Sequence, residues 1–440
     1  MTPPPAPRGT ILTVTLNLAL DVTYTTGGVD WDGVNRVRAV HRRAGGKGVN
    51  VARVLAALGH DVLVTGLAGG SNGEAAEADL AAAGLPAALT PIAAGSRATL
   101  AVHDLGPALP GPPPSGTAPA GGAVPPVHDG STGSPGSSGF SGPSGSFGSS
   151  GSFGFSADGA GRAVRPRTAL FNEPGPLVTE AELESFLRDY DTRLGRAAAV
   201  VISGSLPAGV PVTLYADLAA RARERGVPAI VDADGEPLRH APSGRPEIVK
   251  PNAEELARAL SHREPFPSRD GSWNVPSPGP GSPDGKARHS EGSDGSGGTG
   301  GIGDIGDIGH IDGIGGIGGI GGIGGIGGIG EALRGAEALR RSGARAVVVS
   351  LGADGLLAVT PEGSWRAAMP YRVEGNPTGA GDALVAGLAL GLVERTPWPE
   401  RLRRAAALGA AAVAAPVAGD FDANVLRDIH PKIRVEPARA

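Results

Sequence analysis

Short apolar, β-branched runs alternate with longer segments whose apolar residues recur at helical spacing along most of the chain. The first run, TILTVTLNLAL from Thr10, has the composition of a buried strand. The later segment GVNVARVLAALG is apolar on one face and ends at Gly59, a residue type that favours a helix end. This alternation predicts a doubly wound α/β fold with a parallel sheet, in which ligands bind at the carboxyl ends of the strands.

The same alternation continues toward the end of the chain. Further strands are predicted at 61–69, 97–105, 168–175, 198–207, 228–234, 246–252 and 344–352. Further helices are predicted at 74–84, 180–194, 213–226, 253–260, 331–343 and 401–415, with another that opens near Asp382. The early strands that break the alternation are expected to form a small separate sheet.

Two low-complexity segments interrupt this pattern and hold much of the excess of glycine, which makes up 74 of the 440 residues. Residues 106–156 are nearly all Gly, Ser and Pro, so we expect a disordered insertion between two strands. Residues 261–330 form a second insertion, in which Ile recurs at every third position from Ile302 to Ile329. That period fits a polyproline-like helix with one Ile stripe. The segment is either an expanded linker or a stripe used for self-association.

Charge and composition narrow the classes of function. The formal net charge of −5 suggests no basic surface for nucleic acid, and the lack of cysteine excludes thiol catalysis, disulfides and zinc–thiolate sites. No apolar run approaches the ~20 residues of a membrane span, and the segment MTPPPAPRGT lacks the apolar core of a signal peptide. We therefore expect a soluble cytoplasmic protein that binds small molecules, and neither nucleic acid nor a membrane.

Several turns combine glycine with polar side chains at places where α/β strands deliver ligand-binding groups. The stretch around Lys47 fails the spacing of a Walker phosphate loop, because Lys47 comes too soon after the first glycines. Each turn has a structural alternative: a generic helix start at Lys47, a capping box for Asn252 and Glu255, or a plain helix cap for Asp382. Asp382 also admits a catalytic interpretation, because a helix N-terminus can hold an anion beside it.

In their order along the chain, GGKGVNVA, GSLPAGVP, KPNAEEL, SLGADG and GAGD resemble the PfkB/ribokinase-like carbohydrate kinase family. More narrowly, these motifs resemble the phosphosugar branch of the family, and GGKGVNVA together with LNLALD and NEPGP favours 1-phosphofructokinase within that branch. The resemblance implies a ribokinase-like three-layer α/β/α sheet with a small β lid, within one kinase domain over 10–440. It implies lid strands near 23–38, 97–105 and 165–171, and a homodimer formed through the lid.

The resemblance also assigns roles to residues at the matching positions. The catalytic set would be the base Asp382, with the backbone N–H groups of Gly379, Ala380 and Gly381 around the transferring phosphoryl group. The sugar would be bound by Asp21, Gly45, Gly46 and Asn50, and the phosphate already on it by Lys47 and Arg97, with Ser205 beside them. The nucleotide would be bound by Lys250, Asn252, Ser350, Gly352, Gly355 and Gly381. Mg²⁺ would be bound by Glu255, through water, and by Asn252.

The implied reaction is the ATP- and Mg²⁺-dependent conversion of fructose 1-phosphate to fructose 1,6-bisphosphate. Tagatose 6-phosphate and fructose 6-phosphate are alternative substrates, because Ala98 and Thr99 follow Arg97 where the branch often has Val-Asn or Gln-Asn. An unphosphorylated sugar would leave Lys47 and Arg97 without a phosphate to bind.

Two other classes of function stay open. The first is a non-catalytic interaction protein, which deletion of residues 301–330 would inactivate while sparing a kinase. The second is a nicotinamide-dependent oxidoreductase, although the chain lacks the early strand, G-x-G-x-x-G turn and helix that such an enzyme uses.

Overall fold

The computed structural model of the protein describes residues 9–106, 156–157, 163–164, 167–261 and 328–439. Its strands are β1 (Thr10–Thr15), β2 (Ala19–Thr26), β3 (Ala39–Gly45), β4 (Val62–Ala68), β5 (Ala87–Pro91), β6 (Arg97–Asp104), β7 (Ser156–Ala157), β8 (Ala163–Val164), β9 (Arg167–Asn172), β10 (Ala197–Ser203), β11 (Ala229–Asp232), β12 (Ile248–Val249), β13 (Ala346–Ser350), β14 (Leu356–Thr360), β15 (Gly363–Ala368) and β16 (Arg434–Pro437). Its helices are α1 (Lys47–Ala57), α2 (Gly70–Ala82), α3 (Glu180–Leu194), α4 (Leu214–Glu224), α5 (Gly235–His240), α6 (Ala253–Ser261), α7 (Ile329–Arg341), α8 (Ala380–Val393), α9 (Trp398–Val413) and α10 (Ala423–Ile429).

The main sheet has ten strands in the order β16-β15-β14-β13-β12-β11-β10-β1-β4-β5. The strands from β13 to β5 in that order pair in parallel; Thr13 of β1, for example, lies between Val201 of β10 and Val64 of β4. This part confirms the predicted doubly wound sheet. The strands β14, β15 and β16 add an antiparallel edge that the sequence analysis did not predict. A connection of only two residues, 361–362, joins β14 to β15 and reverses the chain direction.

Both faces of the main sheet are buried under helices. Val201 of β10 belongs to a buried cluster shared with α1, α8 and α9, whereas Val200 and Ile202 belong to a second cluster shared with α3, α4 and α7. Neighbouring residues of one strand point to opposite faces, so the strand serves both clusters. The result is the three-layer α/β/α arrangement that the family resemblance implies.

Glycines allow two pairs of helices to pack closely. A Cβ built on Gly387 of α8 would lie 2.7 Å from Ala405 Cα of α9, so the two helices meet there almost backbone to backbone. A Cβ on Gly335 of α7 would lie 2.6 Å from Leu260 Cδ1 of α6. The helices α6 and α7, which stand on either side of the second low-complexity segment in the sequence, are therefore in direct contact.

The described residues divide into two compact units. The larger unit lies within 1–21, 43–99 and 172–440, and the smaller within 22–42 and 100–171. A separate four-stranded sheet, in the order β3-β2-β6-β9, contributes strands to the smaller unit, as the sequence predicts, and β7 and β8 add a two-stranded antiparallel sheet. Residues 27–38 connect β2 to β3 without strand structure, although strands were expected near 23–38.

The connection between β2 and β3 is held by its own polar groups. Asp30 N–H donates to Asn35 Oδ1 at 2.7 Å, and Asn35 Nδ2 donates to Asp30 O at 2.6 Å. Within this braced segment Trp31 is 75% exposed and Val34 is 88% exposed. The smaller unit therefore presents large apolar side chains to solvent.

Several expectations concern residues outside the described ranges. They are the disorder expected for 107–155, the Ile stripe within 262–327 and the start, at 165–166, of a predicted lid strand. Among the described residues, every helix is too short or too polar to cross a membrane.

Candidate active site

The glycine-rich turn singled out in the sequence leads into α8, with Gly379 as the N-cap. Gly379 has a φ of +85°, and a Cβ on it would lie 2.9 Å from Ala418 Cα, so both its backbone angle and its packing require glycine. Ala380 N–H donates to Pro377 O at 3.2 Å, and Gly381 follows in the first helical turn. N–H groups of a first turn have no acceptor within their own helix, so this turn offers donors to an anion.

Asp382 lies buried in that first turn. Its Oδ2 accepts a hydrogen bond of 2.9 Å from Asn50 Nδ2 of α1. Burial raises the pKa of Asp382 to about 7, and the nearby charge of Asp232 adds to the rise, while Lys47, the Asn50 hydrogen bond and Lys250 oppose it. A carboxyl group with a pKa near neutrality is suited to accept and release a proton at physiological pH.

Two lysines and one buried carboxylate form the charged centre of the site. Lys250 Nζ lies 3.0 Å from Asp232 Oδ1, and Lys47 Nζ lies 3.8 Å from Asp232 Oδ2. The Ser203 hydroxyl donates to Asp232 Oδ2 at 3.1 Å. Burial works to raise the pKa of Asp232, but Lys250 and Lys47 outweigh it and hold that pKa below its ordinary value. A Cβ on Gly381 would lie 3.7 Å from Lys250 Nζ, so this cation reaches the start of α8.

Asn252 and Glu255 form a capping box at the start of α6. Glu255 N–H donates to Asn252 Oδ1 at 2.8 Å, and Asn252 N–H donates to Glu255 Oε2 at 2.7 Å. The other carboxylate oxygen, Glu255 Oε1, lies 3.8 Å from Lys47 Nζ. Glu255 thus caps its helix with one oxygen and turns the other toward the charged centre. No group of three or more His, Asp or Glu side chains in the described residues is arranged to hold a metal ion by itself.

The turn after β13 adjoins the capping box. Ser350 pairs with Asn252 in an isolated parallel bridge, and Leu351 N–H donates to Gly355 O at 2.9 Å. Gly352 and Gly355 have φ of +59° and +96°, and a Cβ on Gly355 would lie 2.0 Å from a neighbouring carbonyl oxygen. The two glycines are therefore needed for the tight turn that follows Ser350.

A second charged cluster surrounds Asp21. Its carboxylate lies against Gly45, where a Cβ would be only 2.1 Å from Asp21 Cγ. Burial raises the pKa of Asp21 to about 6, and Arg97 and a hydrogen bond with Thr99 oppose that rise. Burial lowers the pKa of the Arg97 guanidinium, against the charges of Asp21 and Glu173. Glu173 Oε2 also accepts a hydrogen bond of 2.6 Å from the N–H of Ala98, the residue after Arg97. Glu173 belongs to the NEPGP stretch, so that stretch contacts this cluster.

The candidate phosphate-binding residues occupy different surroundings. Gly46, with a φ of +113°, is the N-cap of α1, and Lys47 is the first residue of that helix. The Lys47 ammonium faces the acidic groups of the charged centre, whereas Arg97 faces Asp21. Ser205 Oγ accepts a hydrogen bond of 2.9 Å from Asn17 Nδ2. The roles predicted for these side chains therefore stay predictions.

Four polar side chains of the site were assigned no binding or catalytic role from the sequence: Asp232, Ser203, Asn17 and Thr99. Asp232 and Ser203 are the last residues of β11 and β10, so the rule that drew attention to polar residues at strand ends applied to both. Asn17 follows β1, and its hydrogen bond with Ser205 is the contact that places it in the site. Thr99 is connected with the site by its contacts with Asp21 and Arg97.

Comparison with known families identifies the chain. The sequence model described as "pfkB family carbohydrate kinase" matches residues 15–108, 163–269 and 327–422, which is more than half of the chain. The chain belongs to the PfkB family of carbohydrate kinases. This PfkB protein is an enzyme that transfers a phosphoryl group to a sugar hydroxyl, as the motifs predict.

Solved structures that resemble this PfkB chain cover nearly all of it. Phosphofructokinase-2 from Escherichia coli in complex with potassium is 22% identical, with a TM-score of 0.63 over 96% of this chain and 99% of that one. The tetrameric inhibited form of that enzyme is 23% identical, with a TM-score of 0.62 over 96% and 99%. A Thermotoga maritima protein described as a "possible 1-phosphofructokinase" is 20% identical, with a TM-score of 0.62 over 98% and 100%. These similarities confirm the predicted ribokinase-like fold.

Proposed function

We propose that this PfkB kinase transfers the γ-phosphoryl group of ATP to a ketohexose that already carries a phosphate. Fructose 1-phosphate is the proposed substrate and fructose 1,6-bisphosphate the product. The observation that carries the proposal is the buried carboxylate of Asp382, which has a pKa near neutrality and lies beside both helix N–H donors and the Lys250 cation.

In the proposed reaction Asp382 accepts the proton of the sugar hydroxyl as the hydroxyl oxygen attacks the γ-phosphorus. The O–H bond breaks, a new O–P bond forms, and the bond from the γ-phosphorus to the ADP oxygen breaks. Asn50 fixes the orientation of Asp382 through the hydrogen bond to Oδ2. The N–H groups of Gly379, Ala380 and Gly381 are proposed to stabilise charge on the transferring group, for which the Ala380 N–H would have to leave its present acceptor, Pro377 O.

The nucleotide is proposed to bind beside the start of α8. The residues of this subsite are Lys250, Asn252, Ser350, Gly352, Gly355 and Gly381. The donor set also fits Mg²⁺, because carboxylate and amide oxygens are ligands of this ion and Glu255 Oε1, which takes no part in the capping box, faces the charged centre. Glu255, through water, and Asn252 would hold the ion. When bound, Mg²⁺ neutralises phosphate charge.

The sugar is proposed to bind at the second charged cluster. Asp21 accepts hydrogen bonds from the sugar hydroxyls, and the turn of Gly45 and Gly46, together with Asn50, approaches the ring closely. Arg97 is proposed to bind the phosphate already on the sugar, with Ser205 beside it, and Lys47 to bind the same phosphate by turning from the charged centre, where its ammonium now lies 3.8 Å from Asp232 and Glu255. A binding site with two such cations favours a phosphosugar over a neutral sugar.

A homodimer formed through the smaller unit is part of the proposal. Its support is the exposed apolar surface of that unit, where Trp31, Val34 and Phe171 are 75%, 88% and 51% exposed. Phosphofructokinase-2, one of the relatives above, has a tetrameric form. Sedimentation of the wild type and of Trp31→Ser would test the contact, because loss of a dimer contact predicts a shift toward monomer in the variant.

The function is tested by coupled ADP release with Mg²⁺-ATP against fructose 1-phosphate, tagatose 6-phosphate, fructose 6-phosphate and free fructose. The variants are Asp382→Asn and the matched control Asp217→Asn. Asp217 also lies in the first turn of a helix, α4, and burial also raises its pKa. We expect turnover of fructose 1-phosphate that is lost only in Asp382→Asn.

Other outcomes would change the proposal in distinct ways. Preference for another phosphosugar would correct the substrate and leave the mechanism in place. Turnover of free fructose alone would refute the phosphate-binding role of Lys47 and Arg97. Equal activity of Asp382→Asn and Asp217→Asn would refute the assignment of the base.

A further inference from the structure

Two charged side chains, Arg53 of α1 and Asp79 of α2, bind the backbone of Ala44. Asp79 Oδ2 accepts a hydrogen bond of 2.8 Å from Ala44 N–H and one of 2.5 Å from Arg53 Nη2. Arg53 Nη2 also contacts Ala44 O at 3.4 Å. The N–H and C=O of one fully buried residue are thus both bonded to this pair. We call Arg53 and Asp79 the Ala44 clamp.

The clamp acts on the residue immediately before the sugar-binding turn. Ala44 is followed by Gly45, and the Asp21 carboxylate lies so close to Gly45 that even a methyl group would not fit between them. A shift of Ala44 passes through the chain to Gly45 and changes the distance between the backbone and Asp21. Small displacements of groups that position a substrate have large effects on its binding and reaction.

The position of Arg53 on α1 connects the clamp with the base as well. Asn50, one turn earlier on the same helix, donates to Asp382. A Cβ on Gly419 would lie 3.0 Å from Arg53 Cδ and 3.1 Å from Asn50 Oδ1, so the stem of Arg53 and the amide of Asn50 pack on one backbone segment. The Arg53 side chain is only 10% exposed, which restricts its movement.

We infer that Arg53 and Asp79 are positioning residues that hold the turn of Ala44, Gly45 and Gly46 in register with Asp21. This inference rests on the proposed function, because it assigns the turn to the sugar substrate. Apart from Gly381 of α8, the residues of the nucleotide subsite lie on the segments after β12 and β13, and neither Arg53 nor Asp79 hydrogen-bonds to any of them in the described residues. Loss of the clamp is therefore expected to raise the KM for the sugar and to leave the KM for ATP nearly unchanged.

The test compares Asp79→Leu, Asp79→Asn and a control, Asp191→Asn, in the full-length protein. Asp79→Asn keeps an oxygen that can accept from Ala44 N–H, whereas Asp79→Leu removes it. Asp191 forms a comparable pair, at 2.6 Å from Arg221, which joins α3 to α4. The readouts are KM for fructose 1-phosphate, KM for ATP, the thermal midpoint, and hydrogen exchange of the amides at 44–46.

We expect Asp79→Leu to raise KM for the sugar about tenfold while KM for ATP stays within about twofold. Asp79→Asn should recover most of the loss, and Asp191→Asn should change neither KM. Exchange of the amides at 44–46 should be about tenfold faster in Asp79→Leu and unchanged in the control.

Unchanged sugar KM, or an equal rise of both KM values, would overturn the inference. If the wild type phosphorylates none of the sugars, the proposed function fails and hydrogen exchange decides the structural part. Unchanged exchange at 44–46 in Asp79→Leu would then show that the clamp does not hold the turn.

Discussion

Replacing Gly45 by Ala tests the sugar-binding cluster at its tightest point. A Cβ on Gly45 would lie 2.1 Å from Asp21 Cγ and Oδ2 and 2.3 Å from Oδ1, whereas ordinary contact begins at 3.4 Å. The obstructing group is a short side chain held among Arg97, Thr99 and the Gly45 backbone, so it cannot rotate away freely. Either the carboxylate or the turn must therefore move by more than an ångström.

The size of this displacement sets the expected loss of activity. Misplacing a group that orients the substrate by about 1 Å can reduce the rate by about 100-fold, which corresponds to about 2.7 kcal/mol of transition-state stabilisation. We expect the loss in kcat/KM for the phosphosugar. The KM for ATP should change little, because Lys250, Asn252 and Ser350 lie in other segments of the chain.

Steady-state ADP release gives kcat/KM for the sugar and KM for ATP, and a thermal melt verifies folding. The control is Gly195→Ala, since Gly195 ends α3 with a φ of −60° and its nearest neighbouring atom would be 3.7 Å from the new Cβ. Gly195→Ala should keep wild-type kinetics. A folded Gly45→Ala variant with wild-type kcat/KM would refute the role of Asp21 against Gly45.

Three further predictions concern the charged centre. Burial and the charge of Asp232 raise the pKa of Asp382 to about 7, and the base must be ionised to accept a proton. We therefore expect kcat/KM to fall as the pH drops below about 7. A pH profile in which kcat/KM falls only near the ordinary pKa of 3.8 would contradict this. The native state keeps that proton up to about pH 7 while the unfolded chain releases it near 3.8, so this contribution to stability is lost as the pH rises through that window. Asp382→Asn should therefore stabilise the protein above pH 7, by on the order of 4 kcal/mol in denaturant unfolding, and much less near pH 4; equal effects at both pH values would contradict the raised pKa. Lys250→Met should cost about 3 kcal/mol of unfolding free energy, because it removes the closest cation from the buried Asp232 carboxylate. Lys432→Met, at an ion pair of 2.6 Å whose side chains are about half exposed, should cost much less than Lys250→Met, and similar losses in the two variants would contradict the reasoning.

The sequence carries much of the site because the fold is built from repeated strand–turn–helix units. A polar residue after a strand and a glycine at a helix start can be read locally, and Lys250 and Asp382 were found in this way. Asp21 was expected at the end of the first strand, whereas the structure ends β1 at Thr15 and places Asp21 near the start of β2. The contacts among them could not be read locally. Asn50 and Asp382 are separated by 332 positions, and only the packing of α1 against α8 brings their side chains together.

The antiparallel edge and Asp232 show two different reasons for failure. The strands β14 and β15 are short, and a brief apolar run after a strand resembles a loop as much as another strand. Asp232 carried the same local signal as Asp21, since both stand among the last residues of an apolar run. Its importance comes from burial between two lysines, which depends on the neighbouring strands and helices.

The contact between α6 and α7 has a practical consequence for work with this protein. The chain leaves the described fold after Ser261 and returns at Gly328, and the two helices pack directly on each other through Leu260 and Gly335. The two helices that flank the intervening segment are thus held against each other by the fold itself, and loop closure depends only weakly on loop length. A fluorescent reporter, an affinity tag or new chain termini could be engineered at this junction, since the scaffold there already accommodates 262–327.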